Sequence, residues 1–295
     1  MSLDNFIPEV WSNRFIVNLR TAQVYGNPAI INRNYEGDIA NVGDTVHITS
    51  IGPVTVGDYT KNSDISSPQT LQDATSVLTI TQSKYFNFQV DDVDTVQAMP
   101  GAMNLAMQEA AYAQSNLADK FIASQYVDIS PANTLFSDAT PLDLSTSSNY
   151  GLAYENLVDL DRVLDEADVP LDQRWVVVPP RYFGVLLKDQ RFVSFGTGNS
   201  VGNIQGGIAG MQGGMIAGLT VYKSNNVPTI TNGSSQTVYQ IIAGHPWGWS
   251  FANQVGKIEA YRPEKRFADA VKGLQLYGGK VVRPDMLALL KVRFA

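Results

Sequence analysis

The chain has 295 residues, 44% of them hydrophobic and 17% charged, with no cysteine and a formal net charge of -7. Its length admits one large domain or two intimate ones with a sizeable core; the lack of cysteine excludes disulfides, thiolate metal sites and thiol nucleophiles; the negative charge argues against a surface built throughout for gripping phosphates. The charged fraction falls below the roughly 25% of an average domain, as it would on a surface partly covered by partners or on one made polar by Gly, Ser, Thr, Asn and Gln.

The first thirty or so residues read as an arm. Phe6-Ile7-Pro8-Glu9-Val10-Trp11 is apolar but broken by proline, and Asn27-Pro28 and Asn32-Arg33-Asn34 are turn-like. The start has no basic segment followed by an apolar run, and no stretch approaches the roughly 18 apolar residues of a membrane span, so the expectation is a soluble chain with no membrane association and no export signal. Thr45-Val46-His47-Ile48-Thr49 and Val54-Thr55-Val56 alternate as strands do, and so do Val77-Leu78-Thr79-Ile80 and Tyr85-Phe86-Asn87-Phe88-Gln89-Val90. Strands lead out and strands return. Between them Asp58 to Asp73 is too hydrophilic for a core and longer than a hairpin turn.

After Pro100-Gly101 the period changes to helical: Ala102, Leu105, Ala106, Ala110, Ala113, Leu117, Phe121 and Ile122 predict a helix to about Tyr126. Its alanines allow neighbouring backbone to come close, as a long helix across a sheet requires. A turn-rich stretch from Ser130 to Asn149 precedes a second helix from about Tyr154 to Ala167, rich in acids at Glu155, Asp159, Asp161, Asp165 and Glu166. Such a charge run usually marks a solvated face. Trp175-Val176-Val177-Val178, followed by Pro179-Pro180 and a helix from Arg181 to about Lys188, looks like the buried centre of an α+β unit.

Gly196 to Gly218 is rich in glycine and poor in charge. Strands are expected at Leu219–Tyr222, Thr237–Ala243, Trp249–Ala252, Lys257–Tyr261, Lys280–Val282 and Leu287–Val292. From Lys257 to the end nine basic residues face four acidic ones, a balance of +5, which leaves -12 of the total -7 on the preceding residues. This asymmetry suggests that one part of a subunit meets another part of a neighbour.

The motifs of catalysis are missing. No glycine from Gly196 to Gly214 is followed by the Lys and Ser or Thr of a phosphate loop, and Gly196, Gly198 and Gly202 have one residue too many in the last gap for a dinucleotide fingerprint. The only histidines, His47 and His245, have no partner at metal-binding spacing, and no Gly-x-Ser-x-Gly elbow is present. Asp91-Asp92, and Asp159 with Asp161, are pairs of the kind that can bind a divalent cation, although such pairs are more often helix starts or solvated surface. The expectation is therefore no catalytic residue, no cofactor, no metal and no enzymatic activity.

The order of parts now carries weight: a proline-broken arm, a long β excursion with a polar tip, an alanine-rich helix, an α+β region, a glycine-rich loop and returning strands. It resembles the major capsid protein of tailed bacteriophages, whose shell fold is shared with herpesvirus capsid proteins and encapsulins. The local sequence is similar too. Phe6-Ile7-Pro8-Glu9-Val10-Trp11-Ser12, Tyr35-Glu36-Gly37-Asp38-Ile39, Val42-Gly43-Asp44-Thr45-Val46 and Asp58-Tyr59-Thr60 look like the opening of such proteins. Arg262-Pro263-Glu264-Lys265-Arg266-Phe267 and Ala270-Val271-Lys272-Gly273, leading to Tyr277-Gly278-Gly279-Lys280-Val281-Val282-Arg283-Pro284, look like their ending.

The resemblance implies an α+β fold with an N-terminal arm (1–34), an extended β-hairpin loop (35–90), a peripheral domain (91–150 and 257–295) with a spine helix at about 100–126, and an axial domain (151–256). The glycine-rich loop would then lie near a capsomer axis. It implies a structural protein of the virion that self-assembles into hexamers and pentamers, forming an icosahedral shell around double-stranded phage DNA, with assembly in the host bacterial cytoplasm. Contact with the packaged DNA would be non-specific. The chain reaches its arm directly after Met1, which implies a separate scaffolding protein; a portal and decoration proteins are the other expected partners. The charge division suggests that Asp58, Asp64 and Asp73 meet Arg262, Lys265 and Arg266 of a neighbour, and Trp11 and Tyr59 are further expected inter-subunit contacts. Two other readings stand beside this one: an encapsulin-type compartment, whose usual N-terminal helix the Phe6-Ile7-Pro8 segment does not resemble, and a glycine-loop enzyme.

Overall fold

The computed structural model describes residues 23–34, 45–51, 56–59, 61–62, 64, 67, 73–91, 102–188, 212–265 and 267–294. The class is α+β, as expected, with three sheets among the described residues. Strands β1 (Thr45–Ile51) and β2 (Asp73–Thr79) form an antiparallel ribbon, in register from Thr45 opposite Thr79 to Ile51 opposite Asp73. Strand β3 (Gln82–Asp91) follows after two residues but belongs to another sheet. The Tyr85–Val90 run expected to return along the ribbon pairs instead with a strand from the far end of the chain.

Helix α1 (Ala102–Ser124) is the long alanine-rich helix predicted from the sequence, about 35 Å at 1.5 Å per residue. Its Ala111 and Ala118 are fully buried, so the small side chains do permit close approach. Two short strands follow, β4 (Thr134–Leu135) and β5 (Leu142–Asp143). Helix α2 (Tyr150–Glu166) begins four residues before its expected start, because Ser147–Asn149 form a 3₁₀ turn that leads straight into it. Its buried Ala153, Leu157, Leu160 and Leu164 recur at three and four residues and form one stripe facing the core.

Strand β6 (Trp175–Val178) is buried along its whole length. Helix α3 (Pro180–Lys188) starts on a proline, whose missing amide costs nothing in a first turn. Tyr182 on α3 donates its hydroxyl to the Ala153 carbonyl at 2.7 Å and binds α3 to α2; burial raises its pKa far above the ordinary phenol value. Then come β7 (Gln212–Ile216), β8 (Leu219–Lys223), β9 (Thr229–Thr231) and β10 (Thr237–Gly244). Of the glycine-rich segment, residues 196–211 lie outside the described residues.

The chain ends with β11 (Trp249–Tyr261), β12 (Ala268–Val281) and β13 (Leu287–Arg293). β11, β12 and β3 make a three-stranded antiparallel sheet, while the larger sheet runs β4-β13-β10-β6-β8-β7, with β5 on β13 and β9 on β10. The two runs expected at Trp249–Ala252 and Lys257–Tyr261 are thus one strand, interrupted by a bulge between Val255 and Ile258. The extra residue shifts the side-chain alternation by one and puts Ile258 on the face that Phe251 shares with Tyr277.

β12 was anticipated only at its last residues. Its glycines disguise it: a Cβ on Gly273 would lie 2.4 Å from the Phe86 ring, and one on Gly278 would lie 2.4 Å from the Thr79 carbonyl. They mark close approaches within a strand, not loops. Sheet membership also divides the chain at other places than the expected 151–256 and 257–295, since the first half of β11 lies in the three-stranded sheet and β13 lies inside the larger one.

Two short turns carry the chain between these sheets. Pro246–Gly248 takes β10 into β11, and Pro284–Met286 takes β12 into β13. They lie side by side: the His245 amide donates to Met286, and the Val282 and Arg283 amides donate to the Gly248 carbonyl at 2.9 and 3.1 Å. His245 accepts from the Trp247 amide through Nδ1 at 3.2 Å, which requires that nitrogen to be deprotonated, and burial lowers the imidazole pKa. Gly244 is needed here, because a Cβ would sit 2.5 Å from the Met286 carbonyl oxygen.

One main core spans this junction. Trp249 is fully buried between Tyr25 and Trp175, with ring centroids 6.3 Å from each, and its indole nitrogen donates to Gln125 at 2.7 Å. Gln125 in turn donates to the Gly279 carbonyl at 2.6 Å. A second cluster, with Met107, Ala111, Ile258 and Val271 against Phe86 and Phe88, seats α1 on one face of the three-stranded sheet. A third, with Ile48, Leu78, Ile80, Ala252 and Leu276, seats the ribbon base on the opposite face.

Candidate functional site

The predicted contact residues fall into two groups. Asp58, Tyr59 and Asp64 are exposed on the loop that closes the β1–β2 ribbon, and Asp73 occupies the first position of β2 opposite Ile51. Arg262 and Lys265 are exposed in the turn between β11 and β12. Trp11 and Arg266 lie outside the described residues.

Register places the base of the ribbon far from the basic turn. Lys280 donates to the Val77 carbonyl at 3.1 Å, and Gly278 lies against Thr79, so β2 leaves the sheet beside Gly278 to Lys280. The basic turn closes the other end of β12. From Phe267 to Gly278 is eleven residues, roughly 36 Å of extended strand. The ribbon base and the basic turn therefore stand at opposite ends of the three-stranded sheet.

Apolar exposure, which the charge count overlooks, accompanies both groups. Val56 is 93% exposed and Tyr59 72% on the ribbon loop; Phe267 is 81% exposed beside the basic turn. Between them the face of the three-stranded sheet turned away from α1 carries Tyr85, 80% exposed, opposite Leu274. A hollow of about 380 Å³ opens there, with Tyr85, Phe86, Lys272, Gly273 and Leu274 among its walls. Beside it Lys272 pairs with Glu259 at 3.0 Å and stands 5.3 Å over the Tyr261 ring, while Tyr261 hydrogen-bonds Asn87. Alternation in β3 would have identified Tyr85, since Lys84, Phe86 and Phe88 occupy the opposite face. Phe267, next to a run of charge, gave no such signal.

Several other charges are paired inside the chain. Arg174 is 2% exposed and reaches Asp161 at 2.6 Å and Asp165 at 2.8 Å, with the Pro170 and Val169 carbonyls at 2.9 and 2.6 Å. Two acids of α2 therefore anchor a buried cation; Asp159 and Glu166 meet the exposed Arg162, as a solvated face would. Lys291 pairs with Asp138 at 2.8 Å, and Arg293 with Asp143, whose carboxyl is held below its usual range mainly by hydrogen bonds from Ser145, with help from Arg293. Among the described residues no group of three His, Asp or Glu side chains stands ready to hold a metal, and no helix is long and apolar enough to cross a membrane.

The family model described as phage capsid protein matches residues 74–290. A solved structure from Mycobacterium phage Che8 is 30% identical, with 92% of this chain aligned to 90% of that one and a TM-score of 0.67. The capsid of Cyanophage P-SCSP1u is 13% identical over 92% of this chain and 88% of that one, again with a TM-score of 0.67. A virus-like particle from Pyrococcus furiosus is 12% identical over 96% and 98%, with a TM-score of 0.54. The last two likenesses concern the fold alone. No curated protein sequence matches the chain.

Proposed function

This chain belongs to the phage capsid protein family and is a major capsid shell protein of the virion, and we propose that it builds the shell by joining the acidic ribbon loop of one copy to the basic β11–β12 turn of another. The observation that carries this reading is that exposed acids gather on the ribbon loop, while exposed bases close the end of β12 far from the ribbon base. Loops of opposite charge on one chain are complementary between copies. The exposed Val56, Tyr59 and Phe267 supply apolar contact beside the same two groups.

In this reading the larger sheet with α2 and α3 is the axial body, and α1 with the three-stranded sheet is the peripheral one. Copies close into hexamers and pentamers of an icosahedral shell around double-stranded DNA, assembled in the host cytoplasm. Each copy is held by several neighbours at once, so individually weak contacts add to a stable shell. An exposed ion pair contributes about 0–1 kcal/mol, which makes charge here a matter of register and partner choice more than of strength. The role is structural and not catalytic. Contact with DNA is non-specific, and a scaffolding protein, a portal and decoration proteins are the partners outside the shell lattice. The identity to a phage protein favours this reading over the encapsulin-type compartment, which the fold alone does not separate. The missing nucleotide and triad motifs disfavour the glycine-loop enzyme.

The test is assembly followed by negative-stain microscopy, with and without a candidate scaffold. Wild-type protein is expected to form closed particles, sheets or tubes; a persistent small species would end the reading. Reversing Asp58, Asp64 and Asp73 to Lys is expected to impair assembly. Reversing Arg262, Lys265 and Arg266 to Glu in the same chain is expected to restore part of it. If the double reversal never helps, the pairing is wrong even where the shell reading stands.

A further inference from the structure

The two edges of the three-stranded sheet are not alike. β11, at one edge, has its base covered by Asn32: the Phe251 amide donates to the Asn32 carbonyl at 2.9 Å, and the Asn32 amide donates to the Trp249 carbonyl at 3.0 Å. Further along, the bulge between Val255 and Ile258 breaks its register. Covers and bulges keep an edge strand from pairing with other chains. β3, at the other edge, has neither. It runs ten residues without a proline, in unbroken register with β12 from Gln82 opposite Tyr277 to Asp91 opposite Ala268. Among the described residues no strand lies on its outer side. An edge so long and regular is a template for another strand.

The side chains of β3 indicate which strand. Phe86 and Phe88 face α1 and stack on each other with centroids 6.0 Å apart, yet both are only partly buried there. They flank Asn87, which is exposed on the opposite face with Tyr85 and Gln89. The strand is thus symmetric in character about Asn87. A second β3, laid antiparallel and centred on that residue, sets each Phe86 opposite a Phe88 and each Tyr85 opposite a Gln89. Cross-strand aromatic pairs of this kind stabilise neighbouring strands. Opposite residues in this register are an even number of positions apart, so the two copies of α1 stay on the same side of the joined sheet. A wall with an inside and an outside requires that; a register shifted by one residue would put them on opposite sides. The end of each strand that carries Lys84 also comes beside the end of the other that carries Asp91, so charge does not oppose the pairing.

We propose that β3 is an assembly edge, at which two copies pair β3 with β3 antiparallel about Asn87 and merge two three-stranded sheets into one of six strands. The contact is isologous, with the same edge serving both partners. It rests on the chain being a shell protein and is separate from the contact between ribbon loop and basic turn.

Because the chain has no cysteine, single replacements report this pairing directly. Opposite residues of an antiparallel pair have Cα atoms about 4.5–5.5 Å apart, within the roughly 4.4–6.8 Å reach of a disulfide. Particles assembled from Asn87→Cys and mildly oxidised are expected to yield a covalent dimer on denaturing electrophoresis. Particles co-assembled from Tyr85→Cys and Gln89→Cys are expected to yield the same dimer. Tyr85→Cys alone is not, since its thiols would lie four residues, about 13 Å, apart along the strand. The mixture keeps Asn87 and its hydrogen bond to Tyr261, so the test survives if Asn87→Cys folds poorly. Particles that crosslink in neither arrangement overturn the proposal and leave the shell reading in place. Cysteines shielded from a thiol reagent yet uncrosslinked overturn it too, because a different strand then covers the edge. A dimer from Tyr85→Cys alone overturns the register about Asn87. A wild-type chain that forms no particles ends the shell reading, and this proposal with it.

Discussion

The two sheets of this molecule are finished to different degrees. The larger one has β6 buried throughout, helices α2 and α3 packed on each other, and its cations Arg174, Lys291 and Arg293 paired within the chain. Among the described residues, the three-stranded sheet has α1 on one face and the ribbon base on part of the other. The rest of that face, the ribbon loop and the basic turn present Tyr85, Leu274, Phe267, Val56 and Tyr59 to solvent. Apolar side chains gathered in water, as Tyr85 and Leu274 are on paired strands, mark an interaction surface. The larger-sheet region keeps Leu171, Met215 and Trp247 in water as well, so the contrast lies in its internally paired cations; in the proposed assembly the second region is completed by copies. The comparison makes a prediction: changes in the first should cost stability, and changes in the second should cost assembly.

The largest effect is expected where the two regions share a core. Trp249 is enclosed by Tyr25 and Trp175 and holds Gln125 through its indole nitrogen. Trp249→Ala should destabilise the subunit by about 3–5 kcal/mol, the usual range for losing a buried aromatic. Chemical denaturation would measure it. A loss under about 1 kcal/mol would mean the regions fold separately and share no core. Next comes Arg174→Ala, which removes a buried cation and leaves the Val169 and Pro170 carbonyls without their donor. Breaking a fully buried pair costs about 3–5 kcal/mol, but Asp165 is half exposed and its charge is partly screened, so about 2–3 kcal/mol is expected. The same denaturation experiment decides it, and unchanged stability would remove the larger sheet's claim to self-sufficiency.

The finished region was also the more legible one. Trp175–Val178 could be read because four consecutive apolar residues before a proline pair have few other uses, and the core stripe of α2 follows helical spacing. What the sequence hid were features set by distant partners. Asp161 and Asp165 looked like a solvated face, because Arg174 meets them only after the chain reverses into β6. β12 looked broken at Gly273 and Gly278, because Phe86 and Thr79, which demand those glycines, are almost two hundred residues away. Asp119 was one acid among polar helix residues, with nothing nearby to announce that Val24 and Gly26 would cover it. Of the candidate contacts, the exposure of Asp58, Tyr59 and Asp64 followed from hydrophilic composition alone. The apolar companions Tyr85, Leu274 and Phe267 were missed because apolar side chains in strands or beside charge read as core.

The smallest effect on stability and the sharpest on function should come from those companions. Tyr59 lies on the ribbon loop and Phe267 beside the basic turn, each largely in water. Replacing an exposed side chain away from caps and strained backbone usually changes stability by no more than about 0.5 kcal/mol in either direction. Tyr59→Ser and Phe267→Ser should therefore unfold at the same denaturant concentration as wild type. If the two loops meet between copies, each variant should nevertheless lower the yield of closed particles, and the double variant should lose less than the sum of the single losses, because both side chains leave the same interface. Strictly additive losses would place them in two separate contacts. A drop in subunit stability would instead show that one of them packs within its own chain, and the distinction between a finished and an unfinished region would fail at that residue.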